Sequence, residues 1–142
     1  MAALKQTPQA KIIDEEIGAY RTLEAQQNAI LQSRNGLISQ LNENAMVKEE
    51  LDKLDDETPV FKLIGPALMR QDVEEAKQNV DKRIEFIQSE ISKSEAKIEK
   101  NKKQMEVHGE KVMKMQGEMQ MKAKQAADEV IARQSQLEDP DE

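Results

Sequence analysis

The sequence contains no cysteine and no tryptophan, and aromatic residues make up only 2% of its 142 positions. The lack of cysteine excludes disulfide bonds and thiol chemistry, and it fits a reducing compartment. So few aromatic side chains are atypical of a compact globular core. No apolar run approaches the roughly 18 to 20 residues of a membrane span, and the N-terminus lacks the apolar core of a signal peptide. We therefore expect an elongated protein in the cytoplasm, with no membrane contact.

Positive charge is in the minority, since 28 aspartates and glutamates outnumber 21 lysines and arginines and the formal net charge is −7. Neither half of the chain is basic, which argues against nucleic-acid binding. The mean hydropathy of −0.80 and the 35% of charged residues are also found in disordered chains. Disordered chains lack sustained apolar periodicity, however, and this sequence keeps such a period over most of its length. A long coiled coil is the better interpretation.

The first apolar repeat predicts a helix over residues 8–54. Thr7 fits the N-cap and Pro8 fits the first turn, where a missing N–H costs nothing. The segment after Leu54 is acidic and contains Pro59, and both features oppose continuation of the helix. The predicted seam of this helix comprises Ile13, Ile17, Tyr20, Leu23, Ile30, Leu31, Leu37, Ile38, Leu41, Ala45 and Leu51.

Two features interrupt this first repeat. Asn35-Gly36 could form a tight turn that splits the helix, but the seam continues in phase on both sides, which favours one helix. Glu24, Gln27 and Arg34 also place polar groups at the seam, which is typical of residues that set register or partner choice.

The second repeat predicts a helix over residues 72–135, antiparallel to the first, with Asp72 and Glu75 as a capping box. Its seam comprises Val73, Ala76, Val80, Ile84, Ile87, Ile91, Ser94, Ile98, Asn101, Met105, His108, Val112, Met115 and Met119, and we expect it to continue through Ala123, Ala126, Val130 and Leu137. β-Branched residues dominate near its start, whereas methionines and two glycines soften the later part. Residues 136–142 are predicted to form an acidic, solvated tail.

His108 is the single histidine of the chain, and no acidic residue accompanies it in a ligand pattern. Its position favours a polar seam residue over metal binding or acid–base chemistry. The lysines between residues 97 and 103 are interleaved with glutamates, as on a solvated helix face. The sequence has no glycine-rich phosphate loop and no nucleophile with a base. We expect no catalysis, no metal and no cofactor.

Residues 58–70 connect the helices and predict a single β-hairpin, in which Gly65-Pro66 supplies the turn. An isolated two-stranded hairpin is marginal in water, and its edges are open templates for pairing. One helix pair cannot bury both of its apolar faces. We therefore expect this hairpin to pair with hairpins of other chains in a shared sheet or barrel. The predicted assembly residues are Val60, Phe61, Leu63, Ile64, Gly65, Pro66, Leu68 and Met69.

The hairpin and its flanks resemble the prefoldin family. The similarity rests on VKEEL (47–51), VFKLIGPALM (60–69) and NVDKRIEFI (79–87), in a stretch that covers roughly a third of the chain. A single hairpin between two helices is similar to the β-type subunits of this family, whereas α-type subunits have two hairpins. The resemblance implies a mainly α fold, in which a long antiparallel two-helix coiled coil carries one β-hairpin that joins an intersubunit β-barrel.

The resemblance also implies a function. β-Type subunits assemble with α-type subunits into a hetero-hexamer whose coiled-coil tips capture unfolded proteins, such as actin and tubulin chains. The complex then delivers these clients to the cytosolic group II chaperonin, without binding a nucleotide. Flexible methionine side chains suit contact with many different sequences. The predicted client-binding residues are Ile12, Ile13, Ile17, Met113, Met115, Met119 and Met121.

A structural or tethering coiled coil without chaperone activity is the alternative function. It explains the heptads equally well, but it predicts a continuous parallel rod and leaves the apolar hairpin unexplained. A rod that binds RNA or DNA is a weaker alternative, because the chain is acidic.

Overall fold

The computed structural model describes residues 7–138 and consists of two long helices joined by a hairpin. Helix α1 spans Pro8–Asp52, strand β1 spans Val60–Ile64, strand β2 spans Ala67–Gln71 and helix α2 spans Val73–Leu137. Helix α2 thus includes the start of the predicted acidic tail, whose residues 139–142 lie outside the described residues. In the described part of the chain, neither helix has a stretch with the length and apolarity needed to cross a membrane.

The contacts of the chain divide it into two compact units. The hairpin unit comprises residues 27–100, and the terminal unit comprises the described residues 7–26 and 101–138. Each helix contributes one segment to each unit. Within both units the two segments pack antiparallel, because residues late in α1 meet residues early in α2 and the reverse.

Helix α1 begins with the predicted cap. The amide of Ala10 donates to the Thr7 hydroxyl oxygen at 3.2 Å, and the amide of Lys11 donates to the Thr7 carbonyl oxygen at 3.0 Å. The helix then continues through Asn35-Gly36 without a break. The alternative of a tight turn at this position is therefore wrong.

Asp55 organises the turn between α1 and the hairpin. Its Oδ1 accepts a hydrogen bond from the Thr58 hydroxyl at 2.7 Å and another from the Glu57 amide at 3.1 Å. These bonds, that of Thr58 foremost, hold the pKa of the Asp55 carboxyl below its usual range. Since α1 already ends at Asp52, this local turn directs the chain into β1.

A small apolar cluster fixes the hairpin to the helices. Leu51, Ala76 and Val80 are buried in it, and Leu54, Val60 and Ile84 pack against them. Val60 is the first residue of β1, so the base of the hairpin shares the core of the coiled coil. This cluster confirms that α1 and α2 pair next to the hairpin.

The seam of α2 is confirmed as far as Met119 and is wrong beyond it. Each predicted seam residue from Val73 to Met119 is buried or half-buried, whereas residues 120–138 are exposed throughout. The reason is that α1 begins at Pro8, and its residues Ala10 and Ile13 already lie beside Met119. The predicted seam residues that are exposed instead are Ala123, Ala126, Val130 and Leu137 in α2, and Leu31 and Ala45 in α1.

Candidate assembly and client-binding surfaces

The hairpin has a two-residue loop that fixes its register. Strands β1 and β2 are antiparallel, with Ile64 opposite Ala67. Gly65 has a φ of 58°, in the left-handed region that the first loop position of a type II′ turn requires and that favours glycine. The fixed φ of Pro66, near −65°, suits the second loop position.

The register divides the side chains of the hairpin between two faces, because alternate residues of a strand point to opposite sides. One face carries Phe61, Leu63, Leu68 and Arg70, and the other carries Val60, Lys62, Ile64, Ala67, Met69 and Gln71. The large apolar side chains other than Val60 are between 49% and 68% exposed on these two faces. Contiguous exposed apolar surface of this kind marks an interaction site.

Both edges of the hairpin are open as well. The sheet has only two strands, and among residues 7–138 no backbone hydrogen bond links either strand to a helix. Because a two-residue loop closes on a hydrogen-bonded pair, the outward amides and carbonyls belong to Phe61 and Leu63 in β1 and to Leu68 and Arg70 in β2. An open apolar edge is a template for pairing with a strand of another chain.

The predicted client-binding residues all lie in the terminal unit, but in different environments. Ile13 is buried, and Ile17, Met115 and Met119 are half-buried in the seam between α1 and α2. The exposed residues are Ile12, Met113 and Met121, of which Met113 is 75% exposed. These three side chains are available for a partner while the helices remain paired.

An open groove in the terminal unit was not predicted. It has a volume of about 520 Å³ and is lined by Ala19, Thr22, Leu23, Lys103, Gln104, Val107 and His108. Val107 is 51% exposed and adds an apolar side chain to the exposed surface of the terminal unit. The signal in the sequence was a valine directly beside the seam residue His108, on an otherwise charged stretch.

His108 is half-buried in the seam, as expected for a polar seam residue, and it has an acidic partner on the other helix that the sequence did not indicate. Its Nδ1 contacts Glu16 Oε2, and Lys111 Nζ lies 4.0 Å from Glu16 Oε1. This contact joins the two helices across 92 positions of sequence, a distance at which local spacing carries no signal. The hydrogen bond with His108 is the main cause that holds the pKa of Glu16 below its usual value of 4.5. Within residues 7–138, no cluster of three potential ligands could hold a metal ion.

The terminal unit should lose stability in acid partly through Glu16. A carboxyl whose pKa is lower in the folded state stabilises the fold above its unfolded pKa, and that contribution is lost as the pH falls through the folded value. We therefore expect the melting temperature of the wild type to drop more below about pH 4.5 than that of Glu16→Gln. Thermal melts between about pH 5.5 and pH 3 measure this difference. Glu110→Gln, at an exposed position, is the control, and its melting temperature should fall with pH as that of the wild type does. If the melting temperature of Glu16→Gln falls as much as that of the wild type, the stabilising role of Glu16 is contradicted.

Polar contacts in the hairpin unit fix how the helices pair. Gln27 Nε2 donates to the Ile98 carbonyl oxygen at 3.2 Å, and Arg34 Nη2 lies 3.0 Å from Glu95 Oε1. Gln27 and Arg34 are half-buried, as expected for polar seam residues, whereas Glu24 is exposed. A shift of one helix by a single turn would break both contacts, so they set the register.

These features are typical of a subunit of a larger assembly, since the apolar hairpin has open edges and no cover from the rest of residues 7–138. A family model described as "Prefoldin subunit" matches residues 14–119. The chain is 47% identical over 114 residues to probable prefoldin subunit 6 of Caenorhabditis briggsae, across 80% of this chain and 88% of that protein. It is 39% identical over 101 residues to prefoldin subunit 6 of Saccharomyces cerevisiae, across 70% and 89% of the two chains. For prefoldin subunit 6 of Homo sapiens the identity is 36% over 110 residues, across 78% and 85%.

A solved structure shares the architecture. The crystal structure of the prefoldin beta subunit from Thermococcus strain KS-1 superposes with a TM-score of 0.70 at 16% identity, covering 79% of this chain and 96% of that chain. At this identity the superposition shows the fold alone. The chain belongs to the prefoldin family, whose members are subunits of a chaperone co-factor. Its fold is that of a β-type subunit, in which the barrel arises between subunits, and the predicted resemblance is confirmed.

Proposed function

We propose that this chain assembles with α-type and other β-type prefoldin subunits into a cytoplasmic hetero-hexamer. The hexamer captures unfolded proteins, such as nascent actin and tubulin, and delivers them to the group II chaperonin. It acts by binding alone, without catalysis or a cofactor. The observation that carries the proposal is that each of the two units exposes its own apolar surface, one on the hairpin and one on the terminal unit.

The hairpin surface suits assembly because it offers both backbone pairing and apolar side chains. Its open edges can continue a sheet into a neighbouring subunit, and its exposed faces can be covered at the same time. The two-residue loop sets the register of this hairpin, and Val60 packs its base against the helices before assembly. A preformed strand pair loses little conformational freedom on binding, which favours a stable complex.

The terminal unit suits client capture because it is loosely packed. The hairpin unit buries Leu51, Val73, Ala76, Val80 and Ile87, whereas in the described part of the terminal unit Ile13 alone is buried. A segment with few buried contacts opens more readily than a well-packed one. Opening would add the half-buried residues Met115, Met119 and Ile17 to the exposed ones, giving an adaptable apolar surface.

Weak contacts from one chain are sufficient in an assembly with several such arms. A client that is held by one arm meets the next at a high effective concentration, so overall affinity exceeds that of any single contact. Weak individual contacts also let the client dissociate from one arm at a time. This property suits transfer to a second chaperone.

A reconstituted complex tests the proposal. The chain is co-expressed with an α-type and the remaining β-type subunits, and the purified complex is mixed with denatured actin that is diluted into buffer. We expect lower light scattering than without the complex, and transfer of labelled actin to added group II chaperonin on a native gel. A complex that assembles but leaves scattering unchanged would refute client capture, and a chain that remains outside every complex would refute assembly.

A further inference from the structure

Helix α1 carries an open apolar groove in the hairpin unit, apart from the hairpin itself. The groove has a volume of about 560 Å³ and is lined by Glu43, Met46, Val47, Glu50, Leu51 and Leu54. Met46 is 66% exposed and Val47 is 48% exposed, so these two side chains have little cover within their own chain. Their exposure contrasts with Leu51, which is buried at the floor of the groove.

The groove is continuous with the base of the hairpin. Leu51 and Leu54 line the groove and also belong to the cluster against which Val60 packs. Val60 is the first residue of β1, whose outer edge is open. A neighbouring subunit that pairs with this hairpin therefore comes next to the groove.

The hairpin by itself is small for a stable interface. Each of its strands has five residues, whereas a specific interface of standard size uses roughly 20 to 30 residues on each side. Further surface must therefore be buried beside the hairpin for a lasting complex. The groove is an exposed apolar surface that adjoins the base of the hairpin.

The charge of the groove indicates the chemistry of its occupant. Glu43 and Glu50 line the groove, and Glu50 Oε1 also lies 3.4 Å from Lys53 Nζ of the same chain. The segment 52–57 remains acidic overall, since four acidic residues accompany this one lysine. An occupant with apolar side chains next to basic ones fits this surface. The hairpin of this chain shows that such a segment exists in the family, because Lys62 and Arg70 alternate with its apolar residues.

We infer that this groove binds the hairpin of the neighbouring subunit in the assembled complex. Apolar side chains of the neighbour contact Met46 and Val47, and its basic side chains lie beside Glu43 and Glu50. The inference rests on the hexamer that is proposed above, and it adds a helical contact to the strand pairing of the barrel.

Oxidation of methionine in the wild-type protein tests the inference without any substitution. Free chain and assembled complex are treated with dilute hydrogen peroxide, and sulfoxide at each methionine is measured by mass spectrometry. We expect Met46 to be oxidised at least severalfold more slowly in the complex, while Met113, which is 75% exposed in the chain, serves as the internal control with an unchanged rate. Equal rates for Met46 in the free and assembled states would overturn the inference.

A substitution provides the second measurement. Met46→Lys places a cation between Glu43 and Glu50 at helical spacing, which supports the free helix and repels a basic occupant. We expect the dissociation constant of the complex to rise roughly tenfold, a change of about 1.4 kcal/mol. Val130→Lys, at a residue that is 53% exposed and belongs to neither proposed surface, should dissociate like the wild type. If the complex with Met46→Lys has the same dissociation constant as the wild type, the groove contact is overturned, while the proposal of a hexamer still stands. Failure of the wild-type chain itself to assemble would instead refute the proposed function.

Discussion

Leu63→Asp is expected to abolish assembly with other prefoldin subunits while the helices stay folded. Leu63 is 68% exposed in the single chain, so an aspartate there remains hydrated before assembly. In a shared barrel the carboxylate would lose its hydrating water. Its cross-strand neighbour is Leu68, which has no charge to compensate it. A buried unpaired charge costs several kcal/mol. Because about 1.4 kcal/mol corresponds to a tenfold change in an equilibrium constant, we expect the affinity of assembly to fall by roughly a hundredfold or more.

The register of the hairpin provides a graded control for this result. Phe61 lies opposite Arg70, so the carboxylate of Phe61→Asp has a cation within reach and should weaken assembly less. Leu63→Met conserves volume and should assemble normally. Mass measurement of the co-expressed complexes ranks the three variants, and circular dichroism confirms that the helices persist. Normal incorporation of Leu63→Asp would show that this face is not buried between subunits.

Replacing Met113 and Met121 by serine is expected to impair client capture without affecting assembly. Both side chains are exposed, at 75% and 63%, so their loss removes no packing between α1 and α2. Full burial of a methionine contributes about 1.5 to 3 kcal/mol, and partial burial of two against a client contributes a similar sum. We therefore expect roughly tenfold more complex to be needed for the same suppression of actin aggregation.

Phe86→Ser is the matched control for this experiment. Phe86 is also an exposed apolar residue of α2, at 65%, but it lies in the hairpin unit rather than in the terminal unit. Light scattering is measured as a function of the concentration of the complex. The curve of Phe86→Ser should coincide with that of the wild type, whereas the curve of the double serine variant should shift to higher concentration. If the double variant suppresses aggregation as well as the wild type, the exposed methionines do not contact clients.

The sequence predicted those features that depend on neighbouring residues or on a regular period. The Thr7 cap requires only the hydroxyl and an amide three residues later, and both are local. The seam from Val73 to Met119 follows from alternating steps of three and four. Gly65-Pro66 determined the hairpin loop, because few residue pairs fit its backbone angles.

The features that the sequence did not predict depend on where one helix lies against the other. The seam was expected to reach Leu137, but its end is set by the start of α1 at Pro8, more than a hundred residues away in the chain. The contact of Glu16 with His108 depends on the same alignment. Ile13 is buried and Ile17 is half-buried. The apolar period of the sequence could not distinguish them, because both residues fit the repeat.

The hairpin also has a consequence for the supply of this subunit in a cell. A copy without neighbours exposes Phe61, Leu63 and Leu68 on one face together with two unpaired strand edges. Such a surface pairs with any available strand, including that of another orphan copy or of an unrelated protein. Synthesis of the chain in excess over its partners would therefore produce monomers that tend to aggregate, and matched production of the subunits would reduce this risk.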